Sequence, residues 1–154
     1  MIVHDRARLN DWGRLYVMRC DPATVAHSFG PAPSLAEHMR WLEGVIGSEK
    51  TLLFVARDTD RGVYIGTGRI EFVTAKKAAK PTQAELSVTV DPLQRGHGYG
   101  TEIVAALVQY LGDAPPKITA AVKPTNYASL RAFATCGFLP VKCEDDRIGL
   151  ELTR

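Results

Sequence analysis

Three glycines at alternate positions, Gly96, Gly98 and Gly100 in the run Arg95-Gly96-His97-Gly98-Tyr99-Gly100, constrain this chain more than any other feature. They separate two segments of different period. Upstream, Ala84-Glu85-Leu86-Ser87-Val88-Thr89-Val90 alternates, placing Leu86, Val88 and Val90 on one face of a strand and Glu85, Ser87 and Thr89 on the other. Downstream, Ile103, Val104, Leu107, Val108 and Leu111 form the apolar stripe of a helix that stops near Gly112, with Pro115-Pro116 beyond it. A strand, a glycine-rich turn and a helix in that order make an anion-binding geometry, because glycine lets the backbone approach a ligand while unpaired amides at the helix start point towards it. Arg95 and His97 add local positive charge. The same glycines would also serve in a plain structural turn.

Two familiar phosphate loops fail on their own requirements. A dinucleotide-binding turn needs a third glycine where this chain has Thr101, and an acidic residue at the end of the next strand, where it has Val122-Lys123. A Walker loop needs a lysine before the hydroxyl residue, and Gly98-Tyr99-Gly100-Thr101 has none.

The remaining segments surround this turn. Ile2-Val3 begins a strand, and residues 11–20 carry Trp12, Leu15, Tyr16 and Arg19 at helical spacing until Asp21-Pro22 ends that helix. Ser34-Leu35-Ala36-Glu37 reads as a capping box, followed by Leu35, Met39, Leu42 and Ile46 on one helix face. Residues 52–56 and 63–73 read as a hairpin through Asp58-Thr59-Asp60-Arg61-Gly62. Residues 117–122 form the next strand. Asn126 caps a helix from Tyr127 to about Cys136, stopped by Gly137, and residues 141–143 and 147–152 make a last hairpin. The fold class expected is α/β in the α+β sense, a mixed sheet of about seven strands flanked by about four helices, and the 154 residues fit one domain over positions 1–154.

Charge and cysteine content narrow the partners. With 19 basic and 17 acidic residues, the net charge of +2 gives no field that argues for nucleic acid or a membrane surface, so an anionic ligand must be held locally. Cys20, Cys136 and Cys143 are an odd set without a CxxC pair, which argues against a disulfide framework and against a metal site. With no apolar signal core near the start, a cytoplasmic location is expected. His4 and His27 read as packing residues, and Cys136 as a small core residue.

Arg95-x-x-Gly98-x-Gly100 after Val90-Asp91-Pro92 resembles the coenzyme-A signature of the Gcn5-related N-acetyltransferase (GNAT) superfamily. Asn126-x-x-Ser129 at a helix head, followed by Phe133 and Gly137-Phe138, resembles its second coenzyme-A element, and the order of elements agrees over nearly the whole chain. The resemblance implies a mostly antiparallel sheet splayed between its fourth and fifth strands. It implies acetyl-coenzyme A as cosubstrate, with direct attack by a primary amine. It also implies that the amides of Arg95, Gly96, His97, Gly98, Tyr99, Gly100 and Thr101 cradle the pyrophosphate, that Ser87, Val88, Thr89 and Val90 pair with pantetheine like an added strand, and that Asn126 and Ser129 contact the donor from the other side. In much of the superfamily a tyrosine that protonates the leaving thiolate stands seven residues after the Asn126 equivalent; this chain has Phe133 there.

An alkyl amine with a pKa near ~10 must lose a proton before it attacks. Glu85, on the polar face of the donor strand, is the leading base expected, with Glu71 on the neighbouring strand next, acting through water. The oxyanion would meet the amide of Val88 or Val90. The segments Arg19-Cys20-Asp21-Pro22, Ser28-Phe29, His38-x-x-Trp41, Ala84-Glu85 and Val122-Lys123-Pro124-x-Asn126 further resemble acetyltransferases of nucleotide-linked 4-amino sugars, of the pseudaminic acid pathway type. That implies Arg19, His38 and Trp41 at the acceptor, Trp41 stacking on a base or sugar and Arg19 or His38 meeting phosphate. Ribosomal-protein N-terminal acetyltransferases share part of this pattern and are the alternative, as is a non-catalytic coenzyme-A-binding sensor, a reading that Phe133 keeps open. Homodimers are frequent in families of this fold.

Overall fold

The apolar runs pair into one seven-stranded sheet in the order β1-β2-β3-β4-β5-β7-β6, as seen in a computed structural model that describes residues 1–153. The strands are β1 (Ile2–Arg6), β2 (Thr51–Asp58), β3 (Val63–Val73), β4 (Gln83–Val90), β5 (Lys117–Val122), β6 (Leu139–Glu144) and β7 (Arg147–Thr153). All neighbours are antiparallel except β4 and β5. The helices are α1 (Trp12–Cys20), α2 (Pro22–Ala26), α3 (Leu35–Ile46), α4 (Tyr99–Leu111) and α5 (Tyr127–Thr135).

Five helices stand where about four were expected. The extra one is α2, because Pro22 does not only stop α1: it occupies the first turn of a new helix whose Asp21 cap accepts from the Ala23 amide at 2.9 Å. The buried face of α3 also differs from the expected stripe. His38, Leu42 and Val45 point inward, while Leu35 and Ile46 are exposed. A buried histidine is invisible to an apolar count, which is why the face reads as rotated.

Both sheet faces are covered, so β2 is a continuous apolar run rather than an alternating one. Leu52 and Phe54 join Ile70, Leu86 and Ile118 under Ile103, Val104 and Leu107 of α4 and Phe133 of α5. Leu53 and Val55 face the other way, against Leu15 and Met18 of α1 and Leu42 and Val45 of α3. Each such side chain contributes about 1.5–3 kcal/mol by leaving water. Gly68 sets the seat of α4: a Cβ there would lie 2.8 Å from Ile103 Cγ2 and 3.0 Å from Leu107 Cδ1. The bare backbone lets α4 settle onto β3 and fixes where its first turn meets the end of β4.

The sheet parts at its parallel seam. β3 and β4 stay in register from Val73↔Gln83 to Gly66↔Val90, whereas β4 and β5 pair only from Gln83↔Lys117 to Leu86↔Ala120. Beyond Leu86 the β5 side of β4 is open.

Candidate active site

The opening exposes a particular set of backbone groups. The Asp91 amide donates to the Ile65 carbonyl at 2.8 Å, which fixes the antiparallel alternation: Ser87 and Thr89 turn their amides and carbonyls towards β3, and Val88 and Val90 turn theirs into the gap. The Val90 carbonyl receives Arg95 Nε at 3.4 Å.

Immediately after β4 the chain turns into α4 through Gly96 and Gly98, at φ of +83° and +78°. These are left-handed values that a residue with a Cβ reaches only at a cost, and they explain the glycines better than space does, since nothing lies within 4 Å of a Cβ at either. Among the described residues, no acceptor takes up the amides of Gly98, Tyr99, Gly100 or Thr101. Four free donors at the positive end of a thirteen-residue helix form an anion cradle. The cradle is braced from outside: Tyr99 Oη accepts from Arg61 at 2.7 Å, and Arg61 Nε donates to Asp58 at 2.7 Å. Arg61 and the surrounding amides pull the Asp58 carboxyl down to about 2.

Two clefts meet at the gap. The first, of about 510 Å³, is walled by Val90, Arg95, Gly96, Gly98, Tyr99, Gly100 and Thr101 on one side and by Tyr127, Ala128 and Arg131 of α5 on the other. The second, of about 410 Å³, lies on the face covered by α1 and α3 and contains Arg19, Trp41, Arg69, Ser87 and Phe133. They share Thr24, His27, Ser28, Val88, Thr89, Asn126 and Ser129. A rod-like ligand lying along the first cleft can therefore present its end to a second molecule in the other.

Most residues singled out in the sequence gather here. Ser87, Val88, Thr89, Val90, Arg95, Gly96, Gly98, Tyr99, Gly100, Thr101, Asn126 and Ser129 line one cleft or both. His97 does not; its ring lies beside Tyr99, with centroids 5.7 Å apart. Asn126 also caps α5, its Oδ1 accepting from the Ser129 amide at 3.3 Å. Arg19 and Trp41 face the second cleft stacked on one another, the guanidinium carbon 4.1 Å from the ring centroid.

His38 is placed differently from the direct acceptor contact expected of it. It is wholly buried, its Nδ1 3.0 Å from an Arg19 guanidinium nitrogen and its Nε2 3.0 Å from the Trp12 carbonyl. A guanidinium can only donate and a carbonyl only accept, so the imidazole is neutral with its proton on Nε2. Burial, and after it the Arg19 charge, pushes its pKa below the ordinary value. His38 holds Arg19 in position from behind. Glu85 and Glu71 sit opposite one another in the β3–β4 ladder, two residue pairs beyond Arg69↔Ser87, and neither lines either of the two clefts.

Two residues at the site were not singled out from the sequence as functional. Arg69 shares a face with Ser87 and donates to its Oγ at 3.3 Å. His27 lines both clefts, with a buried Nδ1 that has no hydrogen-bond partner among the described residues. Burial, followed by the charges of Arg95 and Lys123, lowers its pKa and favours the neutral ring. Phe133 is buried edge-on to Phe138, with centroids 5.0 Å apart. Among the described residues no group of histidine, cysteine and acidic side chains could hold a metal ion, and no helix is long and apolar enough to cross a membrane.

A sheet opened beside a free-amide cradle, with clefts entering from both sides, has the layout of an acyl-transfer fold. The profile of the acetyltransferase (GNAT) domain matches residues 5–139, and the chain belongs to that family as an N-acetyltransferase. No curated protein sequence matches it significantly. Solved structures do. A spermidine N-acetyltransferase from Vibrio cholerae, in complex with CoA and spermine, superposes with a TM-score of 0.85 at 16% identity over 99% of this chain and 95% of that one. An aminoglycoside acetyltransferase in complex with coenzyme A gives 0.81 at 23% identity over 100% and 95%, and a putative phosphinothricin N-acetyltransferase gives 0.79 at 19% over 99% and 98%. At these identities the likeness is one of fold.

Proposed function

We propose that this chain transfers the acetyl group of acetyl-coenzyme A to a primary amine by direct attack, and that the acceptor is a small molecule such as a nucleotide-linked amino sugar. The observation that carries the reading is the meeting of two clefts at the gap beyond Leu86. The residues fit the donor. The free amides at the start of α4 suit a pyrophosphate, the Val88 and Val90 backbone groups suit the amides of pantetheine, and Asn126 and Ser129 close the opposite wall. Acetyl-coenzyme A supplies an activated thioester; what the chain adds is position and proton handling.

The thioester would lie beside Val88, whose free amide can donate to the oxygen that gains charge as the amine attacks. The amine must arrive uncharged. His27, neutral and at the junction of the clefts, is the group placed to take its proton, whereas Glu85, and Glu71 behind it, can act only through water. Phe133 offers no proton to the leaving thiolate, so that proton comes from solvent or from protonated His27. Trp41 would stack on a base or sugar of the acceptor, beside Arg19.

Thiol release measured with acetyl-coenzyme A against nucleotide amino sugars and ribosomal N-terminal peptides tests the reading. Turnover of peptides alone removes the sugar acceptor in favour of a protein N-terminus. Thermal stabilisation by coenzyme A without turnover of any amine favours a sensor. For the base, His27→Gln is expected to lower kcat/KM by about 10²-fold or more and abolish the acid limb of its pH profile, with Glu85→Gln changing neither. The reverse pattern returns the role to Glu85.

A further inference from the structure

The second cleft contains two guanidiniums and no carboxylate. Arg19 and Arg69 are both half-buried in its wall, and the other lining groups are hydroxyls, aromatic rings, aliphatic side chains, glycine backbone, the Asn126 carboxamide and His27. Neither arginine forms an ion pair among the described residues. Arg19 donates one guanidinium N–H to neutral His38 and lies against Trp41; Arg69 donates to the Ser87 hydroxyl. The acidic groups nearby are otherwise placed. Glu37, which attracts Arg19 at a distance, is held in the capping box of α3 with Ser34, and among the described residues Glu71 and Glu85 form no ion pair with Arg69.

Two like charges drawn partly out of water without a counter-ion are expensive, and a fold keeps such an arrangement where a ligand completes it. The strain is visible on Arg19, whose guanidinium is pushed below its usual pKa by burial and then by the charge of Arg69. His38 adds pre-organisation. By accepting from the Arg19 guanidinium while bonded to the Trp12 carbonyl, it aims the fork into the cleft before any ligand arrives.

We infer that the acceptor is an anionic amine, whose carboxylate or phosphate is held between Arg19 and Arg69 while its amino group points through the gap at Val88. This rests on the acetyl-transfer reading above and specifies the substrate class within it. A polyamine or other polycation would bring positive charge to two unpaired guanidiniums with no acidic residue to receive it. The cleft thus selects against polycationic acceptors as well as for anions.

The test pairs acceptors that differ only in charge: amino acids against their carboxamides, and amino-sugar phosphates against the free amino sugars, with spermidine as the polycation. Anionic members are expected to exceed their neutral partners at least tenfold in kcat/KM, and the pair showing the larger ratio identifies carboxylate or phosphate as the group held. Arg69→Gln should collapse that ratio towards one, mostly through acceptor KM, and leave the affinity for coenzyme A within twofold. Neutral or cationic amines turned over as well as anionic ones, or a ratio unmoved by Arg69→Gln, would overturn the inference. Calorimetric titration of glycine and of inorganic phosphate into the coenzyme-A-bound protein separates the two layers. If no amine is acetylated but an anion binds and Arg69→Gln abolishes its binding, the anion site stands and the enzymatic reading falls. If neither turnover nor anion binding is seen, both fall.

Discussion

Gly98→Ala isolates the backbone conformation on which the proposed donor binding rests. At φ of +78°, with no atom within 4 Å of the added methyl, the substitution introduces no collision and only the left-handed penalty, about 1–2 kcal/mol for an L-residue. In the free protein the turn can relax, because the amides of residues 98–101 have no partners there to lose. The bound state differs. Charge-assisted hydrogen bonds to a diphosphate are worth about 1.5–3 kcal/mol each, so two of them outweigh the penalty and pull the turn back. The penalty therefore appears on binding: Kd for coenzyme A, by calorimetry, should rise roughly 5- to 30-fold while the Tm of the free protein hardly moves. Gly44→Ala is the matched control, another glycine with open space around it, but inside α3. It should leave Kd unchanged and raise stability by about 0.5–1 kcal/mol. A Kd within twofold of wild type for Gly98→Ala would refute the cradle.

Gly68→Ala should act through α4, since its methyl would press on Ile103 and Leu107; overpacking of about 1–3 kcal/mol corresponds to a Tm loss of roughly 2–10 °C. A scanning calorimetry shift below about 1 °C would mean that α4 does not depend on that bare backbone. His38 makes stability depend on acid. Its folded-state pKa lies below its ordinary value of 6.5, so its contribution is complete above that pH and is lost as pH falls through the lowered value. His4 and His27 are shifted the same way, so the measurement is the difference in slope: Tm should fall less steeply below pH 6.5 in His38→Gln than in wild type, and equal slopes would exclude the assignment.

The cleft at the start of α4, where donor binding is proposed, was legible because it is local in sequence. The alternation of residues 84–90, the three glycines and the stripe from Ile103 to Leu111 are adjacent segments, and their order alone places a free helix end beside a strand end. The second cleft, where the acceptor is proposed to sit, depends on register and on packing between distant segments. Arg69 meets Ser87 only because β3 and β4 pair in one particular frame, and a single-residue slip would send it to the opposite face. His27 reaches the site on a segment held over the gap by Lys123, whose amine donates to the Ala26 carbonyl at 3.3 Å, and by Arg147 packed on Phe29. Neither contact has a local signature. His38 was noticed for being three residues from Trp41 on one helix face, but that spacing serves packing and ligand contact equally, and only burial shows that it supports Arg19.

An interrupted seam normally invites trouble, because bare strand edges recruit other chains into growing aggregates. Here the vacant edge of β4 is recessed in a cleft between α5 and the segment carrying His27. A carrier bound there as proposed would be a guest strand in the mechanical sense, bridging two half-sheets that otherwise touch along four residue pairs. Loading the donor should therefore slow amide exchange on both banks of the slot, stiffening the whole molecule as well as filling a pocket.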